Sequence, residues 1–303
     1  MSAEWIDLLD PAAEELRAGA PCEIEESAFE LLLREPVHED EPRPTLQGHG
    51  DYVFGVLIAP IVLREQNAVF YQEIDVVATG DAILTVRKTP PGCGAYEIEH
   101  IRRAVKAKDS PGMILYRLVD DIAERFLDLI DDLDEEIDEL EDAVEAQDPE
   151  HTRARGSQLR HDLLHIRRTL SPMRDAVRRV VDDVVEVEQG DEVFPKDVEV
   201  AFNAAYDKFL RAADGLELSR DLLAGVRDYL QAKVANDQNE VMKTLTVIAS
   251  ILLLPTFIVG LYGQNFEHHF PEIHWRLGYP FSWFLIIVTT VLQLWFFRRK
   301  KWI

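Results

Sequence analysis

Asn239, Met242, Thr246, Ala249, Leu253, Thr256 and Gly260 follow one another at alternating intervals of three and four, so on a helix they share one stripe. Small and hydroxyl side chains on such a stripe suit two tasks. They let a second helix approach closely, or they line a watery path for an ion. Just beyond stands Gly263-Gln264-Asn265. The amide oxygen of Asn265 accepts hydrogen bonds from the water that a hard cation holds around itself. Gly and Asn are also favoured just past a helix end, so the triplet can equally be a cap. Glu267, His268, His269, Glu272 and His274 follow closely. Carboxylates suit magnesium and imidazoles suit zinc, nickel or cobalt, but these histidines have no recognised metal spacing and read as loop residues in water.

Two further clusters carry less. The acidic run Asp131 to Asp142 can gather cations, yet salt screens exposed charge over about 8 Å, so a solvated helix face is the expectation. His161 and His165 stand at i and i+4 without a Glu after the first His, which leaves the zinc-protease pattern unmet. The chain carries no Gly-rich phosphate loop, nucleophile motif or paired-Cys zinc site and reads as something other than an enzyme.

The stripe belongs to an apolar run from about Leu245 to Tyr262, and a second run covers Tyr279 to Phe297. Each suits the ~30 Å hydrocarbon core of a bilayer, so together they predict a membrane hairpin. Arg298, Arg299, Lys300 and Lys301 close the chain's second run, while the link between the runs carries Glu267 and Glu272. By the positive-inside rule both termini face the cytosol, residues 298–303 form a basic cytosolic tail, and the link, residues 263–278, faces outward.

Ahead of the hairpin lie roughly 235 residues, enough to bury a core. The 303-residue chain has a formal net charge of −24, which opposes nucleic acid and anionic lipid surfaces as partners and is compatible with cations. The opening residues, MSAEWIDLLDPAAEE, lack a basic stretch followed by an apolar one, so no cleavable signal peptide is expected. Cys22 and Cys93 are then expected to be free thiols in a reducing compartment.

The fold class expected is α+β with a membrane part: an N-terminal cytosolic α/β domain, a long helical stalk and two C-terminal transmembrane helices. Residues 1–112 are read as the α/β domain. Trp5 to Asp10 is a short strand, with Asp10 as an N-cap and Pro11 at the first helical position. Ser27 to Leu33 reads as helix. Tyr52 to Ile58, Ala68 to Val77 and Ala82 to Val86 read as strands, rich in β-branched and aromatic residues. Residues 113–190 read as an antiparallel helical hairpin, its first helix marked by Val119, Ile122, Phe126, Ile130 and Leu133. Pro172 should kink the second helix. Residues 195–262 read as one stalk helix of about 65 residues, roughly 100 Å long, whose outer part, about 245–262, is the first span. Along it Phe202, Phe209, Leu216, Leu223 and Leu230 recur every seven residues. Such heptads favour bundling with copies of the chain, although the chain's own helix hairpin can occupy the same positions.

Asn239 to Lys243 (NEVMK), Gly260 to Asn265 (GLYGQN), Pro271-Glu272, Gly278-Tyr279-Pro280 and the terminal Lys-Lys-Trp-Ile resemble the CorA family of magnesium transporters. The early Trp5-Ile6-Asp7-Leu8 is similar as well. The resemblance implies a homopentamer in the cell inner membrane, in which five copies of the first span surround a pore for Mg2+ or another divalent cation such as Co2+. It places Asn239, Met242, Leu245, Thr246, Leu253 and Thr256 on the pore wall, with Asp228 deeper toward the cytosol. Gly263-Gln264-Asn265 then forms the selectivity mouth. Asn265 would hold the ion through its water, with Glu267 and Glu272 as further metal-binding candidates. Met242 and Leu245 would pinch the pore as a dry gate. No permanently bound cofactor is implied. Where the family has Gly-Met-Asn, this chain has Gln264, which bears on the preferred ion, zinc, cobalt and nickel being the alternatives. Where it often has Phe-x-Asp-Val-Tyr-Asp, this chain has Phe202-Asn203-Ala204-Ala205-Tyr206-Asp207, and Ala204 cannot ligate a regulatory metal.

Overall fold

The computed structural model describes residues 3–36, 43–63, 68–146, 149–185, 187, 192–264 and 276–303. Met1–Arg227 and Asp228–Ile303 are two compact units. The first begins with β1 (Glu4–Leu9), α1 (Ala13–Gly19) and α2 (Glu26–Leu33). β2 (Thr45–His49), β3 (Tyr52–Leu63), β4 (Ala68–Ala78), β5 (Ala82–Lys88) and α3 (Glu99–Ala104) come next, then the long helices α4 (Pro111–Ala146) and α5 (Pro149–Val181). α6 (Lys196–Tyr262) is continuous over 67 residues. α7 (Gly278–Arg299) completes the second unit.

The strands form one sheet in the order β1-β5-β4-β3-β2. β1 runs parallel to β5, from Glu4 opposite Ala82 to Leu9 opposite Arg87, and the other neighbours are antiparallel. Alternation sorts the side chains. Tyr52, Phe54 and Val56 of β3 join Leu84 and Val86 of β5 in a core closed by Leu16 of α1 and Phe29 and Leu32 of α2. α4 and α5 pack against the sheet as well, and Met173 Sδ of α5 accepts the Ile58 N–H at 3.4 Å. Helices on both faces explain why β3 is buried from Tyr52 through Pro60 rather than alternating. Pro60 is tolerated because β2 stops pairing at Val56, so this end of β3 is hydrogen-bonded only to β4.

Asp10 departs from expectation. It is not an N-cap: α1 starts at Ala13 behind Ala12, with no side-chain cap. Instead Asp10 takes φ 48°, and its carboxylate accepts the Thr89 N–H at 2.8 Å and the Thr89 hydroxyl at 2.6 Å. The chain leaving β5 uses the acceptor that a helix start would have needed.

An ion cluster lies beneath α2. Lys88 Nζ is 2.5 Å from Glu73 Oε1 and 2.7 Å from Asp75 Oδ2, and donates to the Leu31 carbonyl at 2.7 Å. All three side chains are buried. Burial, then the adjacent Glu73, pushes the Asp75 carboxyl well above the usual carboxylate range.

The heptad positions of α6 are filled from within the chain. Phe202, Ala205, Phe209, Ala212 and Ser219 are fully buried. The Phe209 ring stands 6.0 Å from Phe126 of α4, and Ser219 Oγ donates to Asp134 Oδ1 at 2.6 Å. Lys208 Nζ bridges Asp120 at 3.0 Å and Glu124 at 2.5 Å. At the start of α4, Gly112 leaves room for the backbone before α6: a Cβ there would lie 2.1 Å from the Val193 carbonyl oxygen. α5 runs unbroken across Pro172.

Candidate ion pathway

The second unit contains the outer half of α6, and its two faces differ. Val247 and Ile258 are buried, with Ser250, Ile251 and Leu254 partly so. Gln293 of α7 reaches this side: its Nε2 donates to the Ser250 carbonyl at 3.0 Å. The stripe singled out from sequence lies elsewhere on the helix. Asn239, Met242, Leu245, Thr246, Leu253, Thr256 and Gly260 are exposed and Ala249 is half-buried. At about 100° per residue, the stripe's mean direction is rotated by roughly 130° from the buried side. Close packing against the chain's own second span therefore does not use it.

Thr246 Oγ1 donates to the Met242 carbonyl and Thr256 Oγ1 to the Leu252 carbonyl, each at 2.7 Å. With the proton spent on the helix, each hydroxyl keeps lone pairs that can accept from water. From Thr244 to Asn265 no residue carries a formal charge, so the face can offer a cation dipoles and carbonyls without binding it as a salt. Asp228 is exposed. At the outer end the Gly263 N–H closes the last turn on the Val259 carbonyl at 2.9 Å. Gly263 is not among the positive-φ glycines, so the left-handed cap is not the reason for a glycine here. Gln264 is exposed. Asn265, Glu267, His268, His269, Glu272 and His274 lie outside the described residues.

Among the described residues no group of three or more His, Cys, Asp or Glu side chains is arranged to hold a metal. In the early stalk Asn203 Nδ2 donates to the Glu199 carbonyl at 3.0 Å, and Ala204 is exposed beside it. His165 packs on the Tyr71 ring at 4.7 Å rather than pairing with His161 at a metal site. Sequence reading passed over Gln293, whose signal is a lone amide within an apolar run.

α6 and α7 are both long and apolar enough to cross a membrane, with only 11% and 6% of their most apolar stretches buried. A buried helix of a water-soluble core would show the reverse.

A family model described as CorA-like Mg2+ transporter protein matches residues 2–299. The chain is similar to the cobalt/magnesium transport protein CorA of Thermotoga maritima, 30% identical over 274 residues, covering 90% of this chain and 76% of that one. Its fold is similar to the complete structure of the CorA magnesium transporter from Methanocaldococcus jannaschii, with a TM-score of 0.78 and 23% identity over 99% of this chain and 91% of that one. Sequence across nearly the whole length and fold therefore agree: this chain belongs to the CorA-like Mg2+ transporter family.

Proposed function

We propose that the protein is a channel-like carrier of divalent cations, Mg2+ first, which self-assembles as a homopentamer around α6 in the inner membrane. The observation that supports this reading is the exposed stripe from Asn239 to Gly260 on the side of α6 that the hairpin does not bury. Five such stripes about an axis make a wall of hydroxyls and small side chains, with Met242 and Leu245 as its apolar constriction and Asp228 on the cytosolic side. Asn265 at the outer mouth grips the ion through its hydration shell, because Mg2+ gives up water reluctantly. Gln264 beside it presents an amide, and with Glu267 and Glu272 it tunes which ion enters. Arg298 to Lys301 hold the C-terminal end of α7 in the cytosol.

No nucleotide engine is required. A divalent ion moving inward gains about 4.6 kcal/mol per 100 mV of membrane potential, twice the single-charge value. The family's usual regulatory ligand is Ala204 here, so gating by a metal at that position falls away.

The test is uptake of Mg2+ into liposomes carrying the purified chain under an imposed potential. Asn265→Ala should slow uptake roughly tenfold, the effect of about 1.4 kcal/mol at the entry step. Uptake equal to that of empty vesicles would remove transport and leave a membrane-anchored sensor. Normal uptake by Asn265→Ala would remove the mouth while sparing the channel. Competition by Co2+, Ni2+ and Zn2+ in the same assay ranks the ions.

A further inference from the structure

Between the outer part of α4 and the far end of the β3–β4 hairpin lies a cleft of about 330 Å3. Its floor is apolar, with Val62, Val69 and Leu133, and its rim is acidic, with Glu135, Glu136, Glu139 and Asp162. Arg155 of α5 pairs with Glu136 and neutralises one rim carboxylate. Glu135 and Glu139 are exposed and have no partner among the described residues. Desolvation raises the Asp162 carboxyl above its ordinary range, as expected for a group held at an apolar edge without enough positive charge nearby.

The opposite flank of α5 has the complementary character. Arg153, Arg160 and Arg167 recur every seven residues. By helical rotation they lie roughly 140–180° around the axis from Asp162. Leu164, 40% exposed, sits one turn from Arg160 on one side and from Arg167 and Arg168 on the other. Arg153, Arg160 and Arg168 are exposed without a partner among the described residues, and Arg167 has only a 3.4 Å approach to the exposed Glu217. An exposed leucine among Arg153, Arg160 and Arg168 fits an apolar floor whose rim carries Glu135 and Glu139.

We propose that the cleft of one copy receives the Leu164 ridge of the next, so that the water-facing units make a contact of their own. This rests on the self-association in the proposed function and names a surface for it. Cleft and ridge are different surfaces on one chain, so the contact is heterologous, and its repetition closes a ring when the rotation permits. The partner is a second copy because each chain supplies both halves in equal number, and the charges are opposite in sign around an apolar centre on each side.

The test uses the full-length chain in lipid nanodiscs, with Cys22→Ser and Cys93→Ser removing the native thiols. Val62→Cys with Leu164→Cys should give a cross-linked ladder beyond the dimer with a short bismaleimide, and neither cysteine alone should give any. Arg160→Glu or Glu135→Lys should each cut the ladder roughly tenfold, since like charges then face each other. Combining them should restore it, and Glu139→Lys is a second route should Glu135→Lys fold poorly. An assembly of unchanged mass with no ladder, or with a ladder indifferent to both reversals, overturns this contact and leaves self-association through the spans standing. A chain that is monomeric by mass overturns both.

Discussion

In Met1–Arg227 a buried lysine meets two carboxylates and a carbonyl within 2.7 Å, whereas in Asp228–Ile303 the hydroxyls of Thr246 and Thr256 turn back on their own helix. Large apolar side chains divide in the same way. Phe209 is fully buried, while Leu253 and Phe257 are 67% and 66% exposed. The first unit buries its large core side chains and pairs its buried lysine inside a single chain, as a fold in water favours. The second satisfies its backbone within its helices and leaves most of its large apolar side chains exposed, the arrangement that hydrocarbon permits.

Breaking the first unit should therefore be far costlier than trimming the second. Lys88→Met strands Glu73 and Asp75 together beneath α2. Leaving a buried charge uncompensated typically costs about 3–5 kcal/mol, and Glu73 is left so while Asp75 can hold a proton. Loss of the cooperative unfolding transition of the full chain in detergent, followed by circular dichroism, checks it. Next in size, Phe209→Ala should cost about 3–4 kcal/mol through the cavity it opens against Phe126, while Phe257→Ala in the span should stay within about 0.5 kcal/mol. Equal losses at the two positions would erase the contrast between the units.

The smallest effect is a pH dependence. Asp75 holds its proton more tightly folded than unfolded, because burial and Glu73 raise its pKa. The native state then binds more protons, so stability declines as pH rises from the ordinary carboxylate range through the raised value. The unfolding temperature should fall across that window, and Asp75→Asn should flatten the fall while Glu73 continues to pair Lys88.

How much of this was legible depended on where the information sits. The amphipathic period of α4, the continuity of α6 and both apolar spans are local patterns, and they could be read directly. β2 (TLQGH) could not, because its pairing with β3 rests on partners elsewhere and its own alternation is weak. The Glu73–Asp75–Lys88 cluster was hidden for the same reason: i, i+2 spacing puts both acids on one face of β4, but only the β4–β5 register brings Lys88 opposite Glu73. The heptads of α6 were visible as a pattern and silent about the partner. Phe126, Asp134 and Lys208 decide that the partner is the chain's own α4. The Asn239–Gly260 stripe was legible from spacing alone, and its exposure needed the position of Gln293 on the other side.

The parallel pairing of β1 with β5 sets a timetable for biosynthesis. A ribosome delivers Glu4 long before Ala82, its ladder partner, and closing so wide a loop is entropically slow. Until β5 emerges, the nascent N-terminus has no lasting place in the sheet and is exposed to chaperones and proteases. Nonsense products ending before that strand should accordingly be short-lived in cells.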